Sequence, residues 1–449
     1  MAEFRIYVLK PDGSEDSLVY NNQTSSLVWS NGQSVVPVKA RAWRGATVVS
    51  KDQPGRKGNV RVLKISLGLL CNYACTYCSQ RFVPHADQTN PEDVESFLRS
   101  LEDALIEPPE RIEFWGGEPL VYWKTLKPLA ERLRGMYPKA QFSMITNGSL
   151  LDADKNAWID RLGFSVGLSH DGPGYHARGA DPLDDPQKRA AIFDLYARLK
   201  PEGRISINAM IHASNPSRAH VQSWLRERFG EDVVIGEGAF IDPYDEGGLA
   251  STFQTSAERV TFSAHAFKEL RAGAVTSFDI ARKKIMDFVE SVAQGRPAST
   301  LGQKCGMDRT DNLAVDLNGN VLTCQNVSAA AVAPNGESHK IGHISQLQAV
   351  KMRSATHWSQ RESCSKCPVL QLCKGSCMFL DGPLWTAGCD ASYADNVPFL
   401  AAGIEFLTGC FPFYIEGDFP QERRDIFGLV SEHSEVKERR VIPIKVEHA

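Results

Sequence analysis

The sequence predicts an α/β protein, a partial barrel of parallel strands followed by a cysteine-rich region. Two observations lead there. From about residue 61 to 240, short apolar runs of strand type alternate with amphipathic runs of helical type, which is the signature of parallel βαβ units. The eleven cysteines are also grouped, with none before Cys71 and none between Cys78 and Cys305. A chain that used cysteine only as a small core residue would scatter it more evenly.

The strand candidates are VLKISL (62–67), RIEFWG (111–116), QFSMIT (141–146), FSVGLS (164–169), ISINAMI (205–211) and DVVIGEGAFI (232–241), with helical stretches between them such as 91–105 and 124–137. Six units predict an open (β/α)6 TIM-like barrel over residues 61–255 rather than a closed one of eight. In such folds chemistry sits in the loops at the C-terminal ends of the strands. Residues 1–60 read as a β-rich N-terminal extension, with FRIYVL, SSLVW and SVVPV separated by turn residues. Residues 256–299 read as bridging helices, 300–395 as a loop-rich domain of the kind braced by metal, and 396–449 as a tail that begins apolar and ends charged.

Composition narrows the function classes. A net charge of −4 leaves no broad electrostatic footprint for nucleic acid. No stretch approaches the roughly 18 apolar residues of a membrane span. The start, MAEFRIYVLKPDG, lacks the basic-then-apolar order of a secretory signal. The expectation is a cytoplasmic protein without a membrane partner, whose cysteines are metal ligands or free thiols.

Cys71, Cys75 and Cys78 follow the first barrel strand with the spacing C-x3-C-x2-C. Iron–sulfur clusters normally take four cysteines. Three on one loop leave an iron without a protein ligand, as a catalytic metal keeps an open position. The alternative is zinc, which usually pairs two C-x2-C units or adds histidines; His85, seven residues beyond Cys78, is the nearest histidine in sequence.

This spacing, with aromatic Tyr77 just before the last cysteine, resembles the radical S-adenosylmethionine (SAM) superfamily. The resemblance implies a 4Fe–4S cluster whose fourth iron is chelated by SAM, and reductive cleavage of SAM to a 5′-deoxyadenosyl radical that abstracts hydrogen from a substrate. Gly116-Gly117-Glu118-Pro119 resembles the family's GGEP motif, where glycines admit close backbone approach and Glu118 is expected near the SAM ammonium. Thr146 and Asn147, in Thr-Asn-Gly at the end of QFSMIT, resemble the polar strand end near the SAM ribose; the alternative is an ordinary Asn-Gly turn. Ser169 and Asp171, in Ser-His-Asp-Gly-Pro, resemble a segment of the peptide-modifying branch in which both face SAM, with Arg178 beyond as a partner for its carboxylate or as a solvated surface residue. His170 is expected to point away, since neighbours alternate along a strand. Asn208 is a further candidate for the same pocket.

The second group is Cys305, Gly319 and Cys324, then Cys364-x2-Cys367-x5-Cys373-x3-Cys377 and Cys389. Structural zinc knuckles are the competing reading. Seven cysteines in this order resemble the SPASM domain of radical SAM enzymes. The resemblance implies two auxiliary 4Fe–4S clusters, making three in all. Cys364, Cys367, Cys373 and Cys389 would hold one, and Cys305, Cys324 and Cys377 the other. Relatives often have a further cysteine soon after the first, where this chain has Met307, Asp308 and Asp311. The latter cluster therefore has an open iron, favoured here, or a ligand such as Asp311 or Cys410. Sulfatase-maturing relatives place an aspartate after the second cysteine. Gln325 stands there and cannot accept a proton, so sulfatase maturation is not assigned. Asp316, Asp381 and Tyr393 are polar candidates near the clusters, and no catalytic residue is assigned.

The leading expectation is a radical SAM enzyme acting on a peptide or protein side chain and reduced by a flavodoxin or ferredoxin-type partner. The alternatives are the same chemistry on a small molecule or nucleoside, and a non-catalytic iron–sulfur electron carrier. A carrier would have no use for the SAM-pocket motifs.

Overall fold

The computed structural model describes residues 3–39, 41–45, 55–56, 58–84, 89–333, 336–352 and 356–425. Three N-terminal strands come first: β1 (Glu3–Leu9), β2 (Glu15–Asn21) and β3 (Ser26–Trp29). The next six run parallel: β4 (Val62–Ser66), β5 (Arg111–Trp115), β6 (Gln141–Thr146), β7 (Phe164–Ser169), β8 (Ile205–Asn208) and β9 (Ile235–Glu237). Between them lie α1 (Asp93–Ala104), α2 (Trp123–Met136), α3 (Ala153–Arg161), α4 (Pro186–Leu199) and α5 (Arg218–Phe229). All six strand candidates therefore form, in the order of a partial barrel. Each helix turns an apolar stripe inward; α1 buries Val94, Phe97, Leu98 and Leu101, the spacing of one helical face. Phe114, Phe142 and Phe164 on β5, β6 and β7 form a run of rings about 5.4 Å apart, and Trp158 of α3 packs on it.

The remainder is α6 (Glu246–Ala250), α7 (Ser256–Arg271), α8 (Asp279–Gln294), β10 (Asn312–Asp316), β11 (Asn320–Leu322), β12 (Lys340–His343), α9 (Glu362–Ser365), α10 (Leu370–Cys373), α11 (Gly382–Thr408) and β13 (Phe411–Glu416). β10 pairs parallel to β4, and β11 and β12 follow antiparallel, so the cysteine-rich region continues the barrel sheet in the order β12-β11-β10-β4-β5-β6-β7-β8-β9. The two ends of the chain form a second sheet, ordered β13-β1-β2-β3. That sheet supports the cysteine loops. Asn22 donates through Nδ2 to the carbonyls of Ser365 and Cys367 (3.0 and 2.8 Å), and Gln371 donates back to the Asn22 carbonyl at 2.9 Å.

Two elements differ from expectation. SVVPV forms no strand; Ser34 makes only an isolated bridge to Val28, and Pro37 lacks the N–H that a ladder needs. The 27-residue α11 appears where few long periodic segments were read. It is buried on all sides from Ala391 to Leu400, so it carries no amphipathic period to detect. Among the described residues no helix is long and apolar enough to cross a membrane.

Asp395 of α11 lies buried against Arg218 of α5 and, at 2.9 Å, Lys284 of α8. Burial opposes ionisation here, but Lys284 and Arg218 overcome it and hold the carboxyl well below its usual range. The stability it contributes is present above the ordinary carboxylate pKa and is lost as pH falls toward the depressed value. Asp395→Ala strands two buried cations and should cost about 3–5 kcal/mol, read as a lowered denaturant midpoint. A midpoint within error of the parent protein would show that the triad is not structural.

Candidate active site

Every motif singled out after a barrel strand lies at a C-terminal strand end. The three cysteines follow β4, Gly116-Gly117-Glu118-Pro119 follows β5, Thr146 closes β6, Ser169 closes β7 and Asn208 closes β8. The β4 and β5 loops lie against one another. Gly117 donates its N–H to the Gly68 carbonyl at 3.0 Å and Glu118 donates to the Leu70 carbonyl at 2.9 Å. A Cβ on Gly117 would stand 2.4 Å from the carbonyl oxygens of both Leu69 and Leu70. Glycine is therefore what lets the second loop seat beneath the chain leading to Cys71.

Glu118 is buried, and both of its carboxylate oxygens are engaged. Oε1 accepts from the Thr146 hydroxyl (2.7 Å) and the Leu120 N–H (3.1 Å); Oε2 accepts from the Asn147 N–H (2.7 Å). Burial raises its pKa while these donors pull it down. The side chain of Asn147 donates to Asn72 at 2.9 Å, beside Cys71. Glu118 thus joins the β5 and β6 ends, and Asn147 carries the connection to the cysteine loop.

Tyr77 is tied down from the far side. Its hydroxyl donates to Asp171 and accepts from Arg178 Nη1 at 3.3 Å. Arg178 also stands 3.7 Å from Asp171, which accepts the Met210 N–H at 2.9 Å. Arg178, with 12% of its side chain accessible, is therefore held within the site and is not a solvated surface residue. His170 points away as expected, pairing with Asp181 at 3.0 Å and stacking on Trp224.

A cavity of about 600 Å³ opens at these strand ends. Cys71, Cys75, Cys78, Gly117, Glu118, Thr146, Asn147, Ser169, Arg178 and Asn208 all reach it. A neighbouring cavity of about 820 Å³ takes in Cys305, Cys324, Cys373 and Cys377. The two share Glu237, Ala239, Asp242, Tyr244, Lys304 and Asn326, so the cavity at the first cysteine loop and the cavity at the second cysteine group adjoin along common lining residues. Lys304 stands 3.6 Å from Asp242, and Ser376 donates to the same carboxylate. These wall residues were missed in the sequence. The legible signal was position, since Asp242 and Tyr244 lie just past the last barrel strand and Lys304 precedes Cys305.

The cysteines beyond residue 300 divide into two groups by proximity. Cys324 lies within electrostatic reach of Cys305 and Cys377. Cys364, Cys367 and Cys373 each feel Cys389. All eleven cysteines are free thiols. Burial pushes Cys75 up to about 11 and Cys324, Cys364 and Cys377 up to about 12. Thiols this disfavoured as thiolates need a cationic centre to ionise, which coordination to iron supplies. Among the described residues no three His, Cys, Asp or Glu side chains close around a single metal ion. The donor set and the cavity beside it fit iron–sulfur clusters and SAM.

Other candidates have separate roles. Asp311 pairs with Arg309 and Arg61. Cys410 is buried in the connection between α11 and β13, donating to the Thr408 carbonyl. Asp316 closes a turn with Asn318 and Asn320, and Asp381 caps α11. Gln325 is buried beside Cys324 and reaches the second cavity. His85 lies outside the described residues.

Residues 65–212 match the Radical SAM superfamily. The chain is similar to a cysteine-type anaerobic sulfatase-maturating enzyme of Clostridium perfringens (strain 13 / Type A), 21% identical over 337 residues, covering 68% of this chain and 85% of the relative. It also resembles the radical SAM cyclopropyl synthase TigE of Paramaledivibacter caminithermalis, 23% identical over 30% of this chain and 33% of the relative. Among solved structures, native anSMEcpe with bound AdoMet shares the fold at a TM-score of 0.53 and 18% identity, covering 77% of this chain and 100% of the other.

The Gly117 contact sets a test. Gly117→Ala should cost about 1–3 kcal/mol, because its Cβ meets fixed backbone oxygens. Gly116→Ala, whose Cβ would meet one such oxygen at 3.0 Å, should cost less. Equal thermal shifts for the two would show that the loops do not depend on this close approach.

Proposed function

We propose that this chain, a radical SAM enzyme with a SPASM-type cysteine domain, modifies a peptide or protein side chain held between its first cysteine loop and its second cysteine group. The observation that carries the reading is the pair of adjoining cavities, one at each cysteine group, with six lining residues in common. A cluster held by Cys71, Cys75 and Cys78 supplies, when bound with SAM and reduced, the 5′-deoxyadenosyl radical that removes a hydrogen atom from the substrate.

The chain's own residues prepare that event. Gly117 and Glu118, with Thr146, Asn147, Ser169 and Asn208, line the SAM side of the cavity. Arg178 offers a largely buried positive charge to the SAM carboxylate. Asp171 orients both Arg178 and Tyr77, and Tyr77 braces the loop between its last two cysteines. Glu118 acts through the strand ends it joins. Cys305, Cys324 and Cys377, which all line the second cavity, form a three-thiol set that would hold one auxiliary cluster and leave one iron without a thiolate. Cys364, Cys367, Cys373 and Cys389 form a four-thiol set for the other. Asp242, Tyr244 and Lys304 present charge and hydrogen-bonding groups to the substrate where the two cavities meet.

Support for a peptide substrate comes from relatives. The chain shares its fold with native anSMEcpe bound to AdoMet and the Cp18Cys peptide, at a TM-score of 0.51. Gln325 offers no proton acceptor beside Cys324, which distinguishes this chain from an enzyme using a carboxylate there. The reading includes a cytoplasmic location and a flavodoxin or ferredoxin-type reductant.

The reading is tested by anaerobic reconstitution with iron, sulfide, SAM and a low-potential reductant. The intact chain should bind about twelve iron atoms and release 5′-deoxyadenosine. Replacing Cys71, Cys75 and Cys78 together with Ala should abolish that release and leave about eight irons in place. No 5′-deoxyadenosine from the intact protein would leave an electron carrier. Deuterium passing into 5′-deoxyadenosine from labelled small metabolites, and not from labelled peptides, would move the substrate class.

A further inference from the structure

Just past β13 the chain makes a short helical turn, Gln421–Arg423, against the second auxiliary cysteine set. Arg423 is largely buried, with 14% of its side chain accessible. Its Nη1 and Nη2 donate to Cys389 Sγ at 3.7 and 3.6 Å. Nη2 also pairs with Asp390, the residue after that cysteine. The guanidinium lies over the Tyr393 ring at 5.1 Å, and the Tyr393 hydroxyl donates to the Arg423 carbonyl at 2.7 Å. A fork held by four contacts is a fixed device rather than a surface arginine that happens to lie near a sulfur.

We infer that Arg423 is a positioning residue that makes the reduction potential of the cluster at Cys364, Cys367, Cys373 and Cys389 more positive. This rests on the cluster reading above. Reducing a cluster with four thiolate ligands adds an electron to a body already anionic. Hydrogen bonds to a ligand sulfur and a nearby cation both stabilise the added charge, and Arg423 supplies both. Asp390 works in the opposite direction, placing a carboxylate beside the same sulfur and offsetting part of the guanidinium charge. The pair therefore sets the potential by difference. The arginine comes from the C-terminal extension, so the tail of the chain adjusts a redox centre that the cysteine-rich region builds.

The full-length enzyme, reconstituted anaerobically, tests this with Arg423→Gln and Asp390→Asn. Iron is counted in each, and the midpoint of every cluster is followed by redox titration with paramagnetic resonance detection. The Gln variant should lower the midpoint of one cluster, the Asn variant should raise it, and the other two midpoints should stay put. Unchanged midpoints at full iron content, or shifts of the same sign in both variants, would overturn the inference, because general loosening of the site would act alike in the two. If Arg423→Gln fails to hold iron, Asp390→Asn decides alone, a rise supporting the inference and a fall or no change refuting it. A parent protein with no iron at these four cysteines would sink the cluster reading instead, a distinguishable failure.

Discussion

The buried carboxylate of Glu118 is the constraint on which the site depends. Parallel strands deliver loops to one end of a sheet, but a sheet alone does not make those loops converge. Glu118 accepts from Thr146, Asn147 and Leu120 at once, and so holds the β5 and β6 ends at one separation. The glycine beside it lets the β4 loop descend onto the same point. A carboxylate taken from water is costly unless its lone pairs are filled, and here they are filled by the groups whose positions matter. The geometry is therefore a by-product of satisfying one buried charge.

The opposite wall follows the same logic with different residues. Tyr77, Asp171 and Arg178 form a closed set, so the cysteine loop is gripped from both sides. Asp171 also accepts from the backbone beyond β8, which extends the grip toward the far strands. Between the two grips lies the space into which Ser169 and Asn208 face. The second cysteine region is no appendage, because β10, which lies between Cys305 and Cys324, pairs directly with β4, the strand that precedes the first cysteines.

Much of this was legible in the sequence because it repeats simple periods. The six barrel strands are short apolar runs followed by Gly, Asn or polar residues, and each forms within a few residues of its expected limits. Cysteine spacing marked the sets of thiols that the fold brings near one another, because ligand geometry restricts loop length. What escaped detection lacks local signal. The middle of α11, Ala391 to Leu400, is buried all round and shows no face. Asp242, Tyr244 and Lys304 meet only through tertiary structure. Glu118 was read as facing a ligand, and nothing local to it announced that Thr146 and Asn147, 28 and 29 residues on, would fill its lone pairs.

The pairing of β1 with β13 places Arg5 opposite Glu416. Joining residues so far apart closes a very long loop, and such contacts form slowly and late. A chain emerging from the ribosome can build its barrel long before this last strand exists. The thiols around Cys389 are made before β13 and Arg423, so they stand uncovered until those segments follow.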